Sequence, residues 1–274
     1  MSVTASAVFY PLAAFGSGLS LWARNLIPVV ALYGVNVFAL RILQLSLRFA
    51  NPVPQGRLGM FLAVFLGIEA LAVIIVGAFV SLLVIHFLKA GQSQRPVFTD
   101  VVENARRQFK SYLGSVVLLV AFFVVGIFLS SAFLTAGHFF YAFHPGTRFG
   151  LGILLAASTI AVASAIALVW YGFYFTLSPL VAAFEGKPLV ESFRESRSLI
   201  RGNAVRYGFL FVMFLAMYMV LGVAVYFVLK SGPVSPRALY AIDPAMGGLF
   251  GPLWLSLWLV SYQRLAAAKA VRKV

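Results

Sequence analysis

The chain predicts an all-α polytopic membrane fold: six transmembrane helices in three pseudo-repeated hairpins, each preceded by a cytoplasmic amphipathic helix. Three observations carry that expectation. Six long apolar runs lie near 25–47, 58–88, 112–135, 150–182, 205–229 and 246–265, and about 20 apolar residues with few charges suffice to cross a bilayer as a helix. Hydrophobic residues make up 62% of the chain and charged residues only 10%, against roughly 25% charged in a soluble domain, so no water-soluble core could hide that surface. The strict alternation of a barrel strand is absent, which leaves helices as the way to satisfy backbone groups in lipid. Six spans use up the 274 residues, so one membrane domain over 1–274 is expected.

Charge orients the spans. The net charge is +14, and counting Lys and Arg by alternate sides puts 15 on the side of both termini and 6 on the other. The positive-inside rule then places both termini in the cytoplasm. The basic excess reads as a topology signal that also faces anionic lipid headgroups. A nucleic-acid partner is not expected, because the basic residues lack the interleaved aromatics of a base-stacking surface. Met1 to Ser20 lacks the basic start, compact apolar core and Ala-x-Ala site of a cleavable signal. Cysteine is absent, which excludes disulfides, thiolate metal sites and a cysteine nucleophile.

A unit recurs along the chain. Pro11, Pro96 (in Arg95-Pro96-Val97) and Pro188 (in Lys187-Pro188-Leu189) each open an amphipathic stretch, and a basic residue, Arg24, Lys110 or Arg201, closes it before the next apolar run. Proline suits a first helical turn, where its missing N–H has no intrahelical partner anyway. The prolines are 85 and 92 residues apart, which suggests one unit copied twice, over about 11–90, 96–183 and 188–268. Helical spacing puts Leu12, Phe15, Leu19 and Trp22 on one face of the first stretch. Phe98, Val101, Val102, Ala105 and Phe109 share a face of the second, and Leu189, Phe193, Ser196 and Ile200 a face of the third. These stretches read as in-plane interfacial helices, the alternative being cytoplasmic extensions of the spans that follow. Their polar faces offer a basic contact surface: Arg106, Arg107 and Lys110, with Arg194, Arg197 and Arg201.

The first two runs carry the intramembrane polar residues. Glu69 is the only acidic residue inside a run, and an ionised carboxylate there costs at least ~2.5–3.5 kcal/mol without a partner or water. Arg41 lies about 22 Å above Leu26 and Glu69 about 26 Å above His86 at 1.5 Å per residue, so an Arg41–Glu69 ion pair is expected. Gln44 and Arg48 share Arg41's helical face, making Arg41, Gln44 and Glu69 a candidate polar site. The structural alternatives are that Arg41 and Arg48 snorkel to the outer interface, and that a protonated Glu69 bonds to neighbouring backbone.

The fourth run changes character along its length. Gly152, Ala156, Ala157, Ala161, Ala163, Ser164, Ala165 and Ala167 offer close helix contact and a central position, while Trp170 to Phe175 read as an interfacial aromatic belt. Ser178-Pro179 then predicts a bend or helix end. Gly247 and Gly251 open the sixth run as a small-xxx-small pair suited to helix packing. His138 and His144 with Asp243 match no metal-ligand pattern, and His86 has no second axial ligand at its depth. No serine–base–acid set stands out, so the expectation is no enzyme, no metal and no cofactor.

The segment 170–203, from Trp-Tyr-Gly-Phe-Tyr-Phe-Thr-Leu-Ser-Pro through Ser-Leu-Ile-Arg-Gly-Asn, resembles the last cytoplasmic segment of the YciC-like bacterial membrane proteins and of the membrane domain attached to some glycerophosphodiester phosphodiesterases. The shared features are an aromatic helix ending in Pro179, an acidic-Gly turn at Glu185-Gly186, and Ser-x-x-Leu-x-x-Gly over Ser196 to Gly202. The resemblance implies a six-span protein of the bacterial inner membrane and brings no catalytic motif. Two function classes follow: an accessory or scaffold component of a membrane assembly or envelope process, or a small-solute or lipid permease using Arg41, Gln44 and Glu69.

Overall fold

The computed structural model describes residues 9–49, 57–93, 96–231 and 236–272, and among these every regular element is a helix. In order they are α1 (Pro11–Arg24), α2 (Leu26–Phe49), α3 (Arg57–Ala90), α4 (Phe98–Phe143), α5 (Arg148–Phe175), α6 (Ser178–Glu185), α7 (Leu189–Ile200), α8 (Ala204–Ser231) and α9 (Pro236–Arg272). Among the described residues, five segments are long and apolar enough to cross a membrane: Leu26–Ser46, Val64–Ala90, Phe98–Phe143, Arg148–Glu185 and Ala204–Val225. By helix length and composition this is a multi-pass membrane protein. The sixth expected run lies in α9, which is helical but outside that set. The side chains of 236–245, at the start of α9, lie outside the described residues.

The helices form two compact units, one of residues up to Leu113 and from Leu199 on, the other of Gly114 to Ser198. In the first, α9 is central: Leu257 and Leu259 are fully buried, and α1, α2, α3 and α8 all pack on it. Phe211 and Phe214 of α8 lie 4.6 and 4.9 Å from Trp254, and Tyr218 lies 5.2 Å from Phe250, which sets α8 and α9 antiparallel. Aromatic pairs of this kind add about 0.5–1.5 kcal/mol beyond burial. Half of α3's most apolar stretch is buried, against none of α4's. Gly251 gives room to the Tyr33 ring of α2, and Gly247 sits over Val37, so this small-residue pair works inside the chain.

The second unit is an antiparallel hairpin. Gly126 of α4 makes room for Leu168 of α5, Gly137 for Ala157, and Gly172 of α5 for the Phe123 ring. The central position expected for the small residues of the fourth run is not what this unit shows. Ala161 is buried and Ala157 packs on Gly137, but Gly152, Ala156, Ala163, Ala165 and Ala167 are exposed. One helical neighbour within the unit uses one face only.

The leading amphipathic stretches divide. The first is a separate helix, α1, with Pro11 at N1; it ends at Asn25, whose N–H reaches Trp22 O at 3.1 Å and whose side-chain amide donates to Leu21 O at 2.9 Å. The third is α7, closed by Gly202 at φ 89, a left-handed conformation that costs glycine nothing. The second is not separate: α4 runs unbroken from Phe98 to Phe143. No glycine or proline interrupts 107–113, and Ser111 stays inside the helix, so the helix continues, and its 46 residues span ~69 Å, over twice the ~30 Å hydrocarbon core.

The buried faces also differ from the expected stripes. In α1, Ala14, Gly18 and Leu21 are buried, whereas Leu12 is 69% exposed. Gly18 lies on α9, where a Cβ would meet Leu257 Cδ2 at 2.6 Å and Leu257 Cα at 3.0 Å, and Ser256 Oγ donates to Gly18 O at 2.8 Å. Close backbone approach therefore selects the face of α1 that carries Ala14 and Gly18, with Leu21, and leaves Leu12 and Leu19 outward. In α7 the buried positions are Ser192, Ser196, Leu199 and Ile200, while Leu189 is exposed.

Candidate functional site

The Arg41–Glu69 ion pair does not form. Glu69 instead accepts a hydrogen bond from Ser46 Oγ of α2 at 2.9 Å, and Arg41 Nη1 donates to Gln44 Oε1 of its own helix at 3.0 Å. The register explains this. Asn25 lies against Gly91, Asn36 against Gly77 and Ser46 against Glu69, an antiparallel seam that sets Arg41 level with residues 73–74. That is about 7 Å along α3 from Glu69, and Arg41 points about 140° around α2 from Ser46. The expected site thus separates into two: Arg41 with Gln44 on one face, Glu69 with Ser46 in the seam. The Arg48 side chain and the Asp243 side chain lie outside the described residues.

The polar residues of the seam serve helix contact. Asn36 is 7% exposed near the middle of its span, and its Oδ1 sits 2.8 Å from where a Cβ on Gly77 would be. Such close polar contacts replace the solvent-driven burial that lipid cannot supply. The sequence signal for Ser46 was its spacing from Asn25 and Asn36, visible only once Gly77 and Gly91 are known to be opposite.

The Ser178–Pro179 break forms as expected from proline. α5 ends at Phe175, α6 begins at Ser178, and Pro179 supplies no N–H. Two backbone groups stranded by the break are taken by one side chain of α7: Ser196 Oγ donates to Tyr174 O at 2.7 Å and accepts from Leu177 N at 3.2 Å. Ser178 Oγ is itself buried, without a hydrogen-bond partner among the described residues. Below the break, Lys187 bridges Glu185 at 2.6 Å and Glu195 at 3.1 Å. The Glu185 hydrogen bond first, and Glu195 with it, holds the Lys187 ammonium above the usual lysine range.

Of the basic contact residues, Arg106, Arg107 and Lys110 are exposed on α4, with Arg107 paired to Glu103. Arg201 is exposed in the same unit, and Arg194 and Arg197 are exposed on α7 in the other.

A polar cavity of about 370 Å³ that sequence reasoning did not anticipate lies between the end of α3 and the start of α4, with His86, Lys89, Asp100, Asn104 and Gln108 in its lining. His86 is buried, and its Nε2 donates to Gln108 Oε1 at 2.9 Å. Lys89 and Asp100 bring opposite charges to this cavity, and the amides supply neutral donors and acceptors. No group of three or more His, Asp or Glu side chains able to hold a metal occurs among the described residues. No family model, curated protein or solved structure matches the chain.

Proposed function

We propose that this chain is a non-enzymatic integral protein of the bacterial inner membrane, with six spans and both termini cytoplasmic, that acts as an accessory or scaffold component of a membrane assembly or envelope process. One observation carries the reading: the α2–α3 seam takes up polar side chains of these two spans, Asn36 against Gly77 and Ser46 with Glu69, in direct helix contact. A permease of polar solutes needs midplane polar groups facing a cavity. α9 serves as the sixth span, packed within the bundle. The exposed Leu12 face of α1 supports an interfacial position for that helix. The exposed Arg106, Lys110, Arg194, Arg197 and Arg201 meet anionic headgroups, at roughly 1 kcal/mol of attraction each, or an acidic protein partner; nucleic acid is not the partner. The resemblance over 170–203 supports the bacterial placement.

Purification of the tagged protein from its own membranes in mild detergent, with mass spectrometry of the protein and lipid that accompany it, tests this. Stoichiometric protein partners are expected. A chain that comes out alone would favour a second reading, a lipid permease, for which the supporting observation is an apolar hollow of about 470 Å³ bounded by Val30, Gly34, Val37, Phe38 and Leu249 with Arg41 in its lining. In that case Gly34→Trp, which fills the hollow, abolishes lipid movement in reconstituted vesicles.

A further inference from the structure

A second cavity, of about 520 Å³, lies in the first unit between α1, the residues just past α3, and α9. Six hydrogen-bonding side chains line it: Ser17, Ser20 and Arg24 of α1, Gln92, and Gln263 and Arg264 of α9. Two are guanidinium cations and none is a carboxylate. Two positive charges around one acid-free cavity repel each other unless an anion lies between them. Guanidinium groups match phosphate oxygens in planar, charge-assisted pairs.

The donors are held in place. Arg264 Nη2 donates to Ser17 Oγ at 2.7 Å, which fixes the guanidinium and leaves its other N–H groups to the cavity. A helical arginine leans toward the N-terminus of its helix, which carries the Arg264 side chain back along α9 toward α1. Gln92 and Gln263 exchange amide hydrogen bonds at 3.1 and 3.0 Å, and each amide keeps a second N–H. The wall is set by close packing: a Cβ on Gly91 would lie 2.9 Å from Asn25 Oδ1, so the α1–α2 junction sits directly on the end of α3 and brings Arg24 to the rim. The volume falls within the roughly 300–1,000 Å³ of small-molecule sites and exceeds what one bare phosphate needs.

We propose that this cavity binds a phosphate group, with Arg24 and Arg264 as its charge partners and Ser20, Gln92 and Gln263 as neutral donors. The phosphate comes from a phospholipid headgroup or from a soluble phosphorylated compound, and the chemistry at the cavity is the same. The inference goes beyond the accessory role and does not depend on it, since it needs only the cavity and no protein partner.

The full-length protein in neutral maltoside micelles, in phosphate-free buffer at constant ionic strength, provides the test. Thermal unfolding is followed while either short-chain dihexanoyl-phosphatidylglycerol or sodium phosphate is titrated against equivalent chloride. A saturable rise in Tm is expected, because a ligand that binds only the folded state stabilises it. Response to the lipid alone identifies a headgroup site; response to inorganic phosphate as well identifies a site for soluble phosphates. Arg264→Gln and Arg24→Gln should each weaken the response about tenfold or more, as loss of a charged hydrogen bond implies. Gln92→Glu, at an exposed position where folding is not at stake, should abolish it by adding a negative charge. Arg148→Gln, at an exposed position outside the cavity, should leave it unchanged. No response to either probe, or equal weakening in Arg148→Gln and Arg264→Gln, would overturn the proposal.

Discussion

Ser46 donates its hydroxyl to Glu69 at 2.9 Å across the α2–α3 seam, and this contact sits where charge depth along the two helices pointed to Arg41 instead. Hydrogen bonds between membrane helices average ~0.6 kcal/mol, with a ceiling near 1.7. A double-mutant cycle of Ser46→Ala and Glu69→Gln, read by reversible unfolding in mixed micelles, should show coupling of about that size. The same cycle with Arg41→Gln and Glu69→Gln should give additive losses, within roughly 0.3–0.5 kcal/mol. Strong Arg41–Glu69 coupling would mean that the seam is out of register.

Gly18 is where α1 touches the backbone of α9. A side chain there meets Leu257 Cδ2 at 2.6 Å and Leu257 Cα at 3.0 Å, so part of the strain falls on backbone that cannot swing away. Gly18→Val should destabilise the protein by about 1–3 kcal/mol, the usual cost of overpacking. Gly16, two residues earlier in the same helix, faces open space, and a Cβ added there would meet nothing within 4 Å. Gly16→Ala should therefore gain about 0.5–1 kcal/mol from helix propensity. Thermal melts of the two variants in one detergent check the opposite signs.

Ser196 joins the broken ends of α5 and α6 by bonding both Tyr174 O and Leu177 N. In Ser196→Ala both backbone groups lose that partner at a fully buried site, at a cost of about 1–3 kcal/mol for each group left unsatisfied. Ser196→Thr retains the hydroxyl and should recover part of the loss. Faster hydrogen exchange at the amide of Leu177 in the alanine variant is the local signature; an unchanged exchange rate would assign the break's stability to packing alone.

Lys187 lies between Glu185 and Glu195, and its folded-state ammonium is held above the ordinary lysine value, chiefly by the Glu185 hydrogen bond. A group raised on folding contributes its full stabilisation below the unfolded pKa of about 10.4 and loses it as pH rises through the higher folded value. The Tm difference between the native chain and Lys187→Met should thus stay constant from neutral pH to about 10 and shrink above it. A difference that instead changes between about pH 5 and 8 would point to some other titrating group.

Much of the helical layout was legible in the residues alone. Pro11 opens α1 and Pro179 breaks the fourth run, because proline fixes the backbone and removes a donor locally. The merging of 98–110 into α4 was not legible, since an amphipathic pattern says which face is apolar and not whether the helix stops. The apolar stripes of α1 and α7 misled for a related reason. Membrane-protein helices press small or polar faces together and turn large apolar side chains outward, so Ala14-Gly18 and Ser192-Ser196 were buried where Leu12 and Leu189 were expected. For the candidate polar site, Arg41 and Gln44 do share a face, but the partner of Glu69 depended on register.

The sequence by itself determined the class of fold and the places where the chain crosses from polar to apolar, because hydropathy is a sum over one segment and needs no knowledge of its neighbours. The tertiary structure alone decided that Asn36 meets Gly77, that Ser46 and not Arg41 reaches Glu69, and that Arg24 and Arg264 share a cavity though they stand 240 positions apart. Those pairings follow from how closely two helix backbones approach, and that distance is set jointly by a glycine on one segment and the side chain it admits from the other: Gly18 against Leu257, Gly251 against Tyr33, Gly91 against Asn25.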